Sequence, residues 1–361
     1  MEEFVAKKKR ALALAGGGPL VGIQIGALKA LEEAGIEFDV FTCGCVGSWV
    51  GCLYNSMPPQ QDRIGAITEF FRQIFVEDDV FSKYPVPVKT FLVDYQGDMQ
   101  KTLELMMDPE SYQDLFLPWR IGQYMWEMWN QPATSKEYFN YYLSKGISLN
   151  PWARYMMNMS YGLHKSGRTG LVHNDDLVNQ FIDFDALCQS EKLVYFNAYN
   201  LSKQQIELFV NRHNHPKFAT GNAQYLMAGS SVLNYTANPE INGDKYCEGA
   251  VIDTVNFEHL MENHPDLDEV WVIKITDYES IKPPQNLLDA ELLAVMLPFT
   301  TIADDDIKLF KYHLKEQGDT TKVVEIGMRY DELNYHWSYA NLDKGIEVGY
   351  QGAKATIADY S

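Results

Sequence analysis

Short apolar runs alternate with apolar positions at helical spacing from the start of the chain. Ala11 to Ala15 is a continuous apolar run after a basic cluster, which predicts a buried strand; Gly16, Gly17 and Gly18 interrupt it; then Ile23, Ala27, Leu31 and Ala34 recur at a helical period until Gly35. A second unit follows at once. Phe38 to Thr42 predicts a strand, Cys43 to Gly47 a tight turn, and Ser48 to Asn55 a helix with so little polar interruption that it should be buried. Two strand-turn-helix units in tandem, without hairpin signals, predict a parallel sheet covered by helices.

Residues 60–165 differ in character. Tyr, Trp and Met concentrate in stretches such as LFLPWRIGQYMWEMWNQP and NPWARYMMNMSYGL, where Met125, Met128 and Trp129 share one helical face and Trp152, Met156 and Met159 another. The region reads as an inserted helical layer, either part of the core or a lid and acyl-chain pocket, because Met and aromatic surfaces adapt to flexible apolar ligands. Alternation returns at Leu193 to Asn200, with Ile206 to Val210 as its hairpin partner. A small-residue helix and loop at 217–236, a strand and turn at Lys245 to Ile252, and a buried strand at Asp268 to Ile275 follow. A helix over about 303–316, a strand at Lys322 to Met328 and a closing helix from Gly345 complete the pattern. There is no internal repeat or linker, so the prediction is one α/β domain over 10–361 with a helical insertion at 60–165.

With 361 residues, 46% of them hydrophobic and 22% charged, the chain has material for a large core, and global disorder is excluded. Its 49 Asp and Glu against 30 Lys and Arg leave a net charge of -19, which works against nucleic acid and anionic lipid as partners. The run after Arg10 meets three glycines too soon for a signal-peptide core, and no stretch approaches the roughly 20 apolar residues of a membrane helix. The expectation is a soluble, cytoplasmic protein. Five cysteines, at 43, 45, 52, 188 and 247, are an odd number that fits reduced thiols, and Cys43, Cys45 and Cys52 lack the paired spacing of a zinc site. No metal or organic cofactor is expected.

Gly16-Gly17-Gly18 lies between a strand and a helix N-terminus, where amides without intrahelical partners can converge on negative charge. The continuation GGGPLVGIQIG lacks the Lys and hydroxyl residue of a phosphate-binding loop, and the other reading is an oxyanion hole. The second turn favours the latter. In DVFTCGCVGSWVGCLY a strand runs into Cys43-Gly44-Cys45-Val46-Gly47 and then a helix, the setting of a nucleophile elbow with Cys45 at the reactive position and Gly44 and Gly47 flanking it. The helix dipole should favour its thiolate. Ser48 competes, but lies three residues further into the helix without a GxSxG frame; the plainer reading of Cys45 is a small buried hydrophobe. Glu248, before Gly249 at the end of a predicted strand, is either a proton acceptor or an ordinary surface carboxylate. His213 and His215 read as an exposed turn rather than a metal pair. The run after His173 that includes Asp175 reads as an N-cap, and Asp304, Asp305 and Asp306 as the acidic first turn of a helix rather than a calcium loop.

Three separated segments resemble the patatin-like phospholipases. ALALAGGGPLVGIQIGALKALEEAGI is similar to that family's oxyanion-hole strand, triglycine and helix, FDVFTCGCVGSWVGCLYN to its strand, GxSxG elbow and helix, and GDKYCEGAVIDTVNFEHL to its D-G-G/A segment. Weaker similarity extends over GLVHNDDL, VYFNAYNLSKQQIELF, YLMAGSSVLNYTANPEI and GIEVGYQGAKA, so the resemblance spans residues 10–275 and the end, with 60–165 unmatched in detail. It implies a three-layer α/β fold with a mainly parallel central sheet and helices on both faces. It also implies a Ser-Asp dyad, in which Ser attacks an ester carbonyl, Asp acts as base and the glycine loop stabilises the oxyanion. Here Cys45 stands at the Ser position, Glu248 at the Asp position, Cys43 at the first Gly of the elbow, and Leu20 where an Arg is usual. The expected function is acyl hydrolysis or transfer on a lipid-like ester or thioester through a Cys45-Glu248 dyad, with Gly16, Gly17 and Gly18 forming the oxyanion hole. The alternative is a catalytically inactive relative that binds a lipid or a protein. The expected partners are a lipid-like acyl substrate and, through the Trp- and Met-rich region, a neutral apolar or membrane surface.

Overall fold

The structure, a computed structural model, describes residues 8–93, 95–109, 118–130, 150–153, 171–173, 175–233, 235–257, 259–329 and 333–360, with the single positions 143, 146 and 156. The chain divides into two compact units, Met1–Leu92 together with Leu171–Ser361, and Val93–Gly170.

Among the described residues the larger unit carries a sheet of nine strands: β1 (Arg10–Leu14), β2 (Val40–Cys43), β3 (Leu193–Asn200), β4 (Gln205–Val210), β5 (Ala219–Thr220), β6 (Glu240–Ile241), β7 (Asp244–Glu248), β8 (Glu269–Ile273) and β9 (Lys322–Glu325). The main order is β9-β8-β1-β2-β3-β4-β5, and every pairing from β9 to β3 is parallel. β4 returns antiparallel along β3 as the predicted hairpin partner. The principal helices of this unit are α1 (Gly22–Glu33), α2 (Val46–Ser56), α3 (Arg63–Ile74), α4 (Ala223–Ala228), α5 (Leu287–Gln317) and α6 (Tyr339–Tyr360).

Alternation along the central strands explains the layers. Leu12 and Leu14 of β1 join a core with Phe41, Trp271 and residues of α1, α2 and α3, whereas Ala11 and Ala13 join a second core with Val270, Val272, Phe310 and Leu314. Both faces are thus covered, and the fold is a mixed α/β architecture with a mainly parallel central sheet flanked by helices, as expected. On the first face α1 and α6 touch backbone to backbone. A Cβ on Gly26 would lie 1.9 Å from the Ile346 carbonyl oxygen, and one on Gly349 would lie 2.0 Å from that of Ile23.

Three boundaries differ from the sequence-based expectation. α5 begins at Leu287, capped by Asn286 whose Oδ1 accepts the Asp289 N–H at 2.9 Å, and runs through Pro298, so its first half was masked by a residue that ordinarily stops a helix. The Asp304-Asp306 run is therefore in mid-helix rather than in a first turn. α6 begins at Tyr339 rather than at Gly345. Residues 60–92 fold with the larger unit, because Phe70, Phe71, Ile74 and Phe75 are buried in its core.

The smaller unit includes helices Tyr95–Met107 and Pro118–Asn130. Trp119, Met125, Trp126 and Trp129 of the second helix are exposed, as are Trp152 and Met156. Met159 and the Met128 side chain lie outside the described residues. Among the described residues no helix is long and apolar enough to cross a membrane.

Candidate active site

β2 ends at Cys43, paired with Phe196 of β3, and the chain turns at once into α2. The turn is tight because two glycines let backbone press on backbone: a Cβ on Gly44 would stand 2.3 Å from the Thr254 carbonyl oxygen, and one on Gly47 would stand 2.2 Å from that of Leu14. Between them Cys45, the residue preceding α2, adopts φ 49° and ψ -126°. A non-glycine residue at positive φ is strained, and the strain presents its side chain at the helix N-terminus.

Glu248 arrives from the other direction. β7 runs antiparallel along the edge of β3 that β2 has just vacated, with Glu248 opposite Ala198, and its N–H donates to the Ser231 carbonyl at 3.0 Å. Its carboxyl is fully buried, and neither oxygen has a hydrogen-bond partner of ordinary geometry. Burial pushes this carboxyl up to about 7, with the facing Cys45 thiol pulling the other way. The Cys45 thiol is itself pushed well above its ordinary value, first by burial and then by the Glu248 charge, while the amides of Val46 and Gly17 oppose the rise. Desolvation therefore outweighs the helix N-terminus, and the expected thiolate is a neutral thiol at neutral pH. Strand alternation turns Cys247, next to Glu248, to the opposite face of the sheet.

The glycine loop divides its labour. Gly16 N–H is committed to the Thr254 carbonyl at 3.1 Å, which corrects its expected place among the oxyanion donors. The N–H groups facing the Cys45 sulfur are those of Gly17 and Val46. Gly18 lines the adjoining pocket. Val46 was missed by sequence reasoning, although its position directly after an elbow nucleophile is the signal that identifies such a donor.

Cys45 and Glu248 open on a narrow pocket that is partly continuous with solvent. Its apolar walls include Trp49, Phe71, Val86, Met296, Phe299 and Trp337, so they come from α2, α3, the loop after α3, α5 and the segment before α6. All of the wall residues named belong to the larger unit. Trp49 Nε1 donates to Ser230 Oγ at 2.6 Å, satisfying the indole within the apolar wall.

The remaining candidates have structural places. Ser48 is fully buried in α2 and is not among the pocket-lining residues. His215 stacks on Phe218 with ring centroids 5.1 Å apart, and its Nδ1 accepts the Lys217 and Phe218 N–H groups at 3.3 Å; His213 is exposed beside it. His173 lies on a short strand and Asp175 begins a helix; their side chains lie outside the described residues. Among the described residues no three His, Cys, Asp or Glu side chains are placed to hold a metal ion.

Comparison with known proteins adds three findings. The family profile described as patatin-like phospholipase matches residues 12–261. A 43-residue segment is 51% identical to lysophospholipase nte1 of Aspergillus niger, a match that covers 12% of this chain and 3% of that protein's length. The crystal structure of VipD from Legionella pneumophila is similar over 98% of this chain and 67% of its own, with a TM-score of 0.40 and 11% sequence identity.

Proposed function

The chain belongs to the patatin-like phospholipase family, and from that premise we propose that it is a lipid acyl hydrolase or acyltransferase whose nucleophile is Cys45. The observation that carries the reading is the pairing of a strained elbow cysteine with a fully buried carboxyl that faces its thiol, both opening on one apolar pocket.

The acyl chain lies against the apolar walls and its carbonyl carbon approaches Cys45 Sγ. Because the thiol is neutral, the Glu248 carboxylate takes its proton as sulfur attacks, and the carbonyl oxygen gains the negative charge. The N–H groups of Gly17 and Val46, with Gly18 beside them, stabilise that oxygen; one such donor is worth about a hundredfold or more in rate. Collapse breaks the bond to the leaving alcohol or thiol, which receives the proton from Glu248. Water or a second acceptor then attacks the acyl-cysteine thioester, with Glu248 taking and returning a proton as before. A buried carboxyl near 7 suits both halves of this cycle, since it gains and loses a proton easily at neutral pH.

The test uses chromogenic acyl esters and acyl thioesters with wild type, Cys45→Ala and Glu248→Gln, and intact-mass detection of an acyl adduct. Turnover and an adduct in the wild type, both absent from Cys45→Ala, are expected. The 7% exposure of Cys45 favours a second reading, a relative that binds an acyl ligand without cleaving it. That reading predicts equal ligand affinity in wild type and Cys45→Ala, with turnover in neither.

A further inference from the structure

Asp306 lies in the middle of α5, away from either helix end, yet its carboxylate is used by a loop of another part of the chain. Its Oδ2 accepts the Thr254 N–H at 3.1 Å, and the Val255 N–H faces the same carboxylate. The Val255 N–H and the Thr254 carbonyl belong to one trans peptide group, so they point in opposite directions. On the far side, the Thr254 carbonyl accepts the Gly16 N–H at 3.1 Å. That same carbonyl is the atom against which Gly44 of the elbow is pressed. Thr254 Oγ1 donates back to the Ala250 carbonyl at 3.0 Å, which ties the loop to the turn directly after Glu248.

We propose that Asp306, as a carboxylate, is a positioning residue: it clamps the 254–255 peptide from behind, and through that peptide's carbonyl fixes the glycine loop and elbow around Cys45. A charged acceptor on the N–H side of a peptide polarises its carbonyl and strengthens the bond to Gly16. Protonation of Asp306 removes that charge and loosens Gly16, and with it the adjacent Gly17 donor.

Among the described residues, few ionisable groups lie around Asp306. Asp305 is its neighbour on α5 and Asp253 precedes the clamped peptide, where its Oδ1 accepts the Asn256 N–H at 2.5 Å; Glu262 and His313 line the cleft into which Asp306 faces. Asp304 is paired with Lys274. Burial raises the Asp306 carboxyl to about 6, with the Thr254 and Val255 N–H groups opposing and Asp305 adding to the rise.

Two measurements test the clamp. The first is amide hydrogen exchange in peptides covering residues 15–20, which needs no turnover and so is independent of the proposed acyl chemistry. In Asp306→Asn at pH 8 these amides should exchange at least tenfold faster than in wild type, while those of β8 keep their rates. Wild type, corrected for intrinsic chemistry, should lose this protection as pH falls through about 6. The second, which rests on the proposed hydrolysis, is the pH profile of kcat on a short acyl ester. The acid limb of the wild type should steepen toward a slope of two below about 6, and Asp306→Asn should reduce kcat about tenfold or more with KM within twofold and restore a slope of one. Unchanged exchange at 15–20 in a folded Asp306→Asn overturns the proposal whatever the activity. A variant with changed exchange but no turnover even in wild type overturns the acyl-hydrolase reading and leaves the clamp standing.

Discussion

Cys45 and Glu248 meet because one edge of β3 serves two strands in succession. β2 pairs with it up to Phe196 and then turns away at the elbow, and β7 occupies the same edge from Ala198 onward in the opposite sense. The two strand ends therefore face each other across a gap of one residue, and their side chains meet buried at the inner end of the pocket. Burial is the largest cause of the raised ionisation of both groups.

In the proposed mechanism Glu248 acts as base in its ionised form, so activity should rise with pH. Its carboxyl titrates near 7, so kcat/KM on a short acyl ester should climb through that pH and level off above about 8. A profile that instead fell through pH 7 would require the protonated carboxyl and would sink the base assignment.

The same carboxyl weakens the fold at high pH. Its folded value lies above its unfolded 4.5, so the native state holds the proton more tightly between 4.5 and about 7. Stability from this group is full below 4.5 and is lost as pH rises through about 7, a cost of about 3 kcal/mol at pH 8. Glu248→Gln keeps the shape without the charge. Denaturant titration should find it more stable than wild type by about that amount at pH 8 and equal to it near pH 4.5.

The neutral Cys45 thiol separates this site from thiolate enzymes. At pH 7.5 iodoacetamide should label Cys45 at least about a hundredfold more slowly than free cysteine, since only the thiolate attacks and burial denies it. Cys188, which is partly exposed and free, should be labelled first. Peptide mass spectrometry over a time course reads both rates, and rapid labelling of Cys45 would contradict the buried, protonated state.

Much of the fold was legible in the chain. The strands at Ala11 and Phe38, their turns and the helices after them were marked by glycine interruptions and a change of apolar period, which are local signals. What could not be read locally is what depends on distant partners. Gly16 looks like a free donor until Thr254 is known to accept its N–H. Nothing in DKYCEGAV tells that the Glu248 carboxyl is wholly enclosed, because the enclosure depends on strand pairings with distant residues. The pocket walls include Phe71, Met296 and Phe299, residues unremarkable in sequence that the fold brings together from distant segments.

Helix contact between α1 and α6 gives the sharpest stability test. A methyl group on Gly26 would overlap the Ile346 carbonyl oxygen at 1.9 Å, and backbone, unlike the end of a flexible side chain, cannot move aside without separating the two helices. Gly349→Ala meets the Ile23 carbonyl in the same way at 2.0 Å. Each substitution should destabilise the protein by about 3 kcal/mol or more, the upper range for overpacking, offset only slightly by the better helix propensity of alanine. Gly327→Ala, where an added methyl group finds nothing within 4 Å, is the control and should stay within about 0.5 kcal/mol of wild type. Since α1 starts directly behind the glycine loop, a displaced α1 should also lower kcat before it lowers expression. A Gly26→Ala protein that matched the denaturation midpoint of wild type would mean that the two helices do not pack backbone to backbone.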